Sequence, residues 1–400
     1  MTDQRHSLRV GLVCPYSFDV AGGVQNHVLG LARYLRQAGH RPYVLAPGEL
    51  RPSAATHDLE DFVSVGAAMA VPYNGSVARV SFGPLSAARV RRWLRNGKFD
   101  LIHIHEPITP SISLLALWAA EQPVVATFHT ATPRSRSMQL ASGVLRAAIE
   151  KIDAGIAVSE SARSVVVQHL GRDAVVIPNG IRFDDFARAR HLRTRLVEAR
   201  PSTDSGRTAG SPTPAQQPRL IFISRLDEPR KGLDVLLAAI PLIREARPDL
   251  EVIVAGQGSR PLPSCCRSLG TISDETKIEL LNTADVFVAP QLARESFGIV
   301  LLEAMASGVQ IVASDLPSFV DVLGGPHDES RLGEVFTVGD HRALAAAVLH
   351  VLDHPSPLRA ARAQQAAQHY DWSSVGPAVL AVYRATLSAA PARWTGNVVG

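Results

Sequence analysis

The chain has 400 residues, which at roughly 100–200 residues per domain makes two domains the economical expectation. It is 46% hydrophobic and 20% charged with a formal charge of +4, a globular composition that excludes a fibrous or wholly disordered chain. No apolar run approaches the roughly 18 residues of a spanning helix, no leader-like apolar stretch follows Met1, and Cys14, Cys265 and Cys266 make neither a disulfide framework nor a zinc spacing, so a reducing cytosol is expected.

In chain order, short β-branched runs alternate with amphipathic stretches. Strands are predicted over Arg9–Cys14, Pro42–Ala46, Asp61–Val65, Asp100–His105, Val124–Phe128, Gly155–Val158 and Val175–Ile177. Helices are predicted between them over Val24–Ala38, Ser86–Asn96, Ser111–Ala120 and Glu160–Leu170. That alternation is the mark of a parallel sheet covered on both faces. From about Arg200 to Pro218 the composition turns to Pro, Ser, Thr and Gly, which cannot build a core and reads as a flexible segment. The rhythm then restarts with Leu220–Ser224, Leu233–Arg244, Glu251–Ala255, Asp285–Ala289, a helix from about Gly298 and Gln310–Ala313. The expected organisation is a first doubly wound domain over 1–190, a linker over 191–218 and a second doubly wound domain over 219–371. A C-terminal helix from Trp372 to about Ser388, within the segment 372–400, would pack back on the first domain. A ligand would sit between the carboxyl ends of the two sheets.

Four clusters carry chemistry, each with a plainer alternative. Gly22 and Gly23 follow the first strand and precede a helix, so a phosphate or sugar could approach the backbone there; an ordinary tight turn would look the same. Arg225, Arg230 and Lys231 crowd the end of the strand Leu220–Ser224 and suit a diphosphate, or else form a solvated basic turn. Lysine is scarce, occurring only at 98, 151, 231 and 277, so Lys231 stands on a short list. Glu295 and Glu303 flank the start of an apolar helix at Gly298, placing a carboxylate for sugar hydroxyls beside a helix N-terminus for phosphate.

The fourth cluster is histidine. His103 and His105 share one face of a strand, but no further ligands follow at a familiar spacing, so no metal site is expected. His129, at a strand's carboxyl end, is placed either to meet substrate or to serve as a structural histidine. Elsewhere, Arg91, Arg92, Arg95 and Lys98 fall on one side of a helix whose opposite side carries Val90, Trp93 and Leu94. That stripe could lie on anionic headgroups or be a solvated face, and without a stacking platform it does not point to nucleic acid. Gly256-Gln-Gly258-Ser-Arg-Pro261 approaches a nicotinamide-cofactor fingerprint, but proline replaces its third glycine.

Together these residues resemble the retaining GT-B glycosyltransferases of family 4. Glu295 to Glu303 matches the family's Glu-x7-Glu motif, and Arg225 with Lys231 matches its diphosphate pair. Val13 to His27, Val71 to Arg79, Phe82 to Pro84 and His103 to Pro107 are similar to the actinobacterial members that mannosylate phosphatidyl-myo-inositol. The resemblance implies a GT-B fold of two Rossmann-like domains facing across a cleft. It implies a peripheral enzyme at the cytoplasmic face of the plasma membrane, moving mannose from GDP-mannose to the inositol 2-position with retention. His129, Glu295, Arg225 and Lys231 would be catalytic. Tyr16, Gly23, Arg225, Arg230, Lys231, Ile272, Ser273, Asp274 and Lys277 would bind donor, as would Glu295, Ser296, Phe297, Gly298, Ile299 and Glu303. Gln25, Tyr73, Asn74, Arg79 and Arg89 would receive the acceptor, and Arg91, Arg92 and Arg95 an anionic inner-leaflet surface. No tightly bound cofactor is implied, with Mg2+ as an optional companion of the diphosphate. A family member with another lipid acceptor, or a nucleotide-sugar-binding membrane protein without turnover, would share these features.

Overall fold

The computed structural model describes residues 7–20, 22–50, 61–73, 76–129, 142–187, 217–293, 295–324 and 330–389. Asn74 and most of the expected linker, up to residue 216, lie outside them. The chain forms two units, one of residues 1–181 with 370–400 and the other of residues 182–369.

In the first unit the strands are β1 (Arg9–Val13), β2 (Arg41–Ala46), β3 (Phe62–Ser64), β4 (Met69–Tyr73), β5 (Ser76–Val80), β6 (Leu101–His105), β7 (Val124–Phe128), β8 (Ala154–Ala157) and β9 (Val175–Val176). Seven of them make a parallel sheet in the order β3-β2-β1-β6-β7-β8-β9, while β4 and β5 pair as a separate antiparallel hairpin. All five residues of β6 and of β7 are buried, as strands covered on both faces require. Helix α1 (Gly23–Gln37) follows β1, α2 (Pro84–Gly97) precedes β6 and α3 (Ile112–Ala119) follows it. Helix α2 lies so close to the sheet that a Cβ on Gly11 would come within 2.7 Å of the Trp93 ring.

The second unit repeats the plan with β10 (Arg219–Ile223), β11 (Glu251–Ala255), β12 (Cys266–Gly270), β13 (Val286–Ala289), β14 (Gln310–Ser314) and β15 (Glu334–Phe336) in the order β12-β11-β10-β13-β14-β15. Strand order therefore reverses at β1/β6 in one unit and at β10/β13 in the other. The crevice at the carboxyl ends of such strands is where open α/β sheets take ligands.

The helix Trp372–Ser388 belongs to the first unit. Trp372, Val375, Val379, Leu380 and Tyr383 recur at helical spacing and join the core of Leu12, Leu31, Leu101 and Ile177. At about 2 kcal/mol for each buried side chain, this is gross burial on the order of 10 kcal/mol. Among the described residues no helix is long and apolar enough to cross a membrane.

Candidate functional site

In the second unit the two loops at the switch point are stitched together. Gly232 has φ of 76°, and a Cβ there would stand 1.8 Å from the Pro290 carbonyl oxygen, so only glycine lets the Arg225–Gly232 loop approach the loop after β13. The Leu292 N–H donates to the Arg230 carbonyl at 2.8 Å. This brings Arg225, Arg230 and Lys231 to the segment that carries Glu295. Arg225 Nη1 lies 2.9 Å from Glu228 Oε1, and Arg230 lies 2.8 Å from Glu228 Oε2 and 3.1 Å from Glu295 Oε1. The Lys231 ammonium donates to that same Glu295 oxygen. Burial pushes the Lys231 pKa below its usual value; Glu295 opposes this, and Arg230 and Arg225 add to it. Three cations facing two carboxylates leave an excess of positive charge for an anion.

The helix Ile299–Ser307 begins just beyond Glu295, capped by Gly298 at φ of 100°. A Cβ on Gly298 would approach Phe319 to 2.9 Å, so a side chain here meets both strain and a ring. The helix N-terminus adds its partial positive charge beside the three cations. Ser296 and Ile299 are half-buried and Phe297 is buried, while the Glu295 carbonyl accepts from Ser318 Oγ at 2.8 Å.

Glu303 is not a surface residue of that helix. It is 8% exposed and accepts from Lys277 Nζ at 2.7 Å. Lys277 also lies 3.2 Å from Asp274 and 5.7 Å from the centre of the Phe186 ring. Burial acts to lower the Lys277 pKa, but Glu303 and Asp274 together outweigh it and the net shift is upward. Ser273 caps the helix Asp274–Thr283 by accepting from the Thr276 N–H, with Ile272 half-buried just before it.

The nicotinamide alternative fails here on geometry. Among the described residues no helix opens after Gly256-Gln-Gly258; the chain instead runs into β12. A dinucleotide fingerprint needs a helix start at that point.

In the first unit, the loop after β1 carries Tyr16, which bridges to Val80, and Ser17, whose N–H donates to the Arg79 carbonyl at 2.8 Å. The β4–β5 hairpin is thereby held against the β1 loop, with the Arg79 side chain exposed. Gly23 opens α1 behind an extended Gly22. Gln25 is buried, and its amide donates to the carbonyls of Ser17 at 3.0 Å and Val20 at 3.1 Å, so it shapes the loop. Tyr73 ends β4; its side chain and Asn74 lie outside the described residues. Arg89 Nη1 donates to the Val65 carbonyl at 2.5 Å, and the residue is tied to the β3 end.

The histidines gather where sequence spacing offered only a pair. His27 on α1, His105 at the end of β6 and His129 just after β7 are all buried, with one ligand atom from each lying within 4.8 Å of the others. Sequence spacing offered no further ligand for the His103–His105 pair; the fold sets His27 and His129 beside His105, with atoms close enough together to hold a metal ion. His105 Nδ1 lies 3.0 Å from His129 Nε2, and the His129 N–H donates to Glu106 Oε1 at 2.6 Å. Glu106 has φ of 50°, an unusual conformation for a non-glycine residue, which turns its carboxylate toward β7. Burial holds the pKa of His27 down to about 3 and that of His129 well below 6.5, the latter also through His27 and His103. These rings are neutral hydrogen-bonding groups at neutral pH, not cations.

On α2, Arg91, Arg92 and Arg95 are exposed while Val90, Trp93 and Leu94 are buried. At the start of this helix Phe82 and Leu85 are 42% and 77% exposed, and Trp118 of α3, whose ring stands 6.3 Å from Phe82, is 40% exposed. An apolar shelf beside a basic face was not read from the sequence, although Phe82 and Leu85 flanking the α2 start would have signalled it.

The model of Glycosyltransferase Family 4 matches residues 21–185, and that of Glycosyl transferases group 1 matches residues 217–354. The chain is 45% identical to the phosphatidyl-myo-inositol mannosyltransferase of Propionibacterium freudenreichii, over 94% of each chain. It is 45% identical to that of Mycolicibacterium smegmatis, over 94% of this chain and 93% of the relative. Among solved structures, a glycosyltransferase from Rickettsia africae superposes with a TM-score of 0.68 at 18% identity, covering 96% of this chain and all of that one. Anabaena HepE in complex with UDP and glucose gives a TM-score of 0.67 at 18% identity, over 94% and 100%. Likeness at that identity speaks for the fold alone.

Proposed function

The chain belongs to glycosyltransferase family 4, beside its phosphatidyl-myo-inositol mannosyltransferases, and from that premise we propose that it transfers mannose from GDP-mannose to the inositol 2-position of phosphatidyl-myo-inositol with retention of configuration. The observation that carries the reading is kinship with phosphatidyl-myo-inositol mannosyltransferases along nearly the whole chain, and the cation cluster of the second unit supports it chemically.

GDP departs as the bond between mannose C1 and the β-phosphate oxygen breaks. Charge accumulates on that phosphate, where Arg225, Lys231 and the N-terminus of the helix Ile299–Ser307 stabilise it as it forms. The inositol 2-hydroxyl attacks C1 on the face the phosphate leaves, and its proton passes to the departing phosphate oxygen, so no enzyme carboxylate has to act as nucleophile. Arrival of the diphosphate takes Lys231 and Arg230 from Glu295 and leaves that carboxylate for mannose hydroxyls. Glu303, held by Lys277, accepts from the ribose diol, and Ile272, Ser273 and Asp274 border the base.

His129 offers the mannose a neutral hydrogen-bonding group. Arg79 and the loop shaped by Gln25 receive the inositol phosphate. Arg91, Arg92 and Arg95 rest on the anionic headgroups of the inner leaflet, with Phe82, Leu85 and Trp118 reaching the acyl boundary. Mg2+ travelling with the diphosphate would be held by phosphate and water oxygens, since Glu228 and Glu295 are both engaged with cations.

Competition for bound GDP-mannose tests the donor assignment. Unlabelled GDP-mannose and GDP should displace labelled donor at concentrations at least tenfold lower than UDP-glucose does; equal displacement by UDP-glucose would overturn it.

A further inference from the structure

The histidines of the first unit form a chain that mannose transfer alone does not account for. His103 is bound at both ring nitrogens, with Nδ1 2.6 Å from the Tyr383 hydroxyl and Nε2 2.6 Å from Thr127 Oγ1. Its ring stacks on His105 at 4.4 Å and 28°, and His105 stacks on His129 at 5.3 Å and 27°. A file of near-parallel imidazoles therefore runs from a clamped His103, through His105 and its 3.0 Å contact, to His129. His27 stands edge-on to His105 and His129 at 5.4 and 4.9 Å, and Trp372 packs on His27 at 5.1 Å.

Both outer anchors come from the C-terminal helix. Trp372 and Tyr383 lie close to three full helical turns apart, on one face, and both meet the histidines. The slot for the indole is built for it: a Cβ on Gly30 would fall 2.1 Å from its ring nitrogen, and one on Gly180 2.6 Å from its ring carbons. The Tyr383 hydroxyl, 0% exposed, spans 280 positions of sequence to make a single side-chain contact.

We propose that the C-terminal helix braces the reacting centre, with Tyr383 a positioning residue that sets, through His103 and His105, the ring orientation of His129. A neutral imidazole has one N–H. Burial holds His103 neutral, with its pKa down to about 3, and keeps the Tyr383 phenol protonated. When the phenol donates to His103 Nδ1, His103 must donate from Nε2 to Thr127, and its ring is fixed in plane and in tautomer. His105 packs on that fixed ring and meets His129 Nε2 through its Nδ1 at 3.0 Å, so the plane of His103 is passed along the file to the His129 ring, which Asn179 also holds by a side-chain hydrogen bond. Without the phenol, His103 Nδ1 has no partner in a buried site, and the file loses its fixed end.

The inference rests on the transfer reading for its consequence, not for its geometry, and the test separates the two. Tyr383→Phe keeps the ring and removes one hydrogen bond. It should lower kcat about tenfold while KM for GDP-mannose stays within twofold. In long-range nitrogen–proton spectra of histidine-labelled enzyme, recorded without substrate, the ring-nitrogen signals of His103 and His129 should both move. Thr127→Val, which opens the other end of the clamp, should do the same. A fall in kcat with unmoved His129 signals, or moved signals with kcat within twofold of wild type, would overturn the proposal. A wild-type enzyme that forms no mannolipid would instead count against the transfer reading, and the spectra would still test the brace.

Discussion

The carboxylate of Glu295 grips the Lys231 ammonium, joining the loop after β10 to the loop after β13 at the switch point of the second sheet. The same oxygen holds Arg230 at 3.1 Å. Without donor, two of the three clustered cations are thus already engaged by a residue that the transfer reading gives a separate task. Glu295→Gln should therefore leave GDP binding equal or a few-fold tighter, because a competitor for the cations is gone. Mannose transfer should fall by about 10–100-fold, the scale of one charge-assisted hydrogen bond. Calorimetry with GDP beside a transfer assay checks both halves, and weaker GDP binding would contradict the competition.

On the transfer reading, Lys231 should also give donor binding a pH dependence. Its pKa is depressed by burial, so the ammonium is lost at lower pH than an ordinary lysine would lose it. Donor affinity should be full below that depressed pKa and decline as pH rises through it. Because the diphosphate favours the charged form, binding in that alkaline range should take up a proton, visible as a dependence of calorimetric heat on buffer ionisation enthalpy. Lys231→Ala should weaken binding and abolish the uptake; an uptake that persists would place the titrating group elsewhere.

The buried histidines predict acid lability. His27 and His103 are held down to about 3, chiefly by burial, and His105 and His129 well below 6.5. In the unfolded chain each would titrate near 6.5. Between those values the unfolded state binds more protons, so stability is complete above about pH 6.5 and declines as pH falls below it, by up to about 1.4 kcal/mol per pH unit for each histidine. Thermal unfolding from pH 7.5 to 5 should show a steep fall, and His27→Phe should flatten it even where it alters stability at pH 7.5. Parallel curves for the two proteins would refute this origin.

Membrane attachment should divide into two contributions. Neutralising Arg91, Arg92 and Arg95 together should weaken binding to anionic vesicles, and the loss should shrink as salt screens the wild type. Leu85→Asp, which changes a side chain 77% exposed, should weaken binding in high salt as well. Vesicle co-sedimentation across a salt series distinguishes them; identical salt profiles for the two variants would mean that the shelf and the stripe are not separate contacts.

Much of this was legible from periodicity. The strands Val124–Phe128 and Glu251–Ala255 and the helix Trp372–Ser388 run as predicted, because uninterrupted apolar runs and amphipathic spacing are local signals. The β4–β5 hairpin was missed because Pro72 argues against a strand, yet Asn74-Gly75 between the paired ends Tyr73 and Ser76 is a strong hairpin dipeptide. The meeting of His27, His105 and His129 was not legible: three residues from three elements converge only through the sheet order. Glu303 reads as a helix-surface carboxylate when taken alone, since its partner Lys277 sits 26 positions away on another helix.

The central claim is tested most directly by incubating purified enzyme with labelled GDP-mannose and phosphatidylinositol in anionic vesicles and analysing the lipid extract. A labelled phosphatidylinositol monomannoside with an α-linkage at the inositol 2-position is the predicted result. Labelled lipid that forms from another nucleotide sugar but not from GDP-mannose, or no labelled lipid while a control mannosyltransferase is active, would contradict the account.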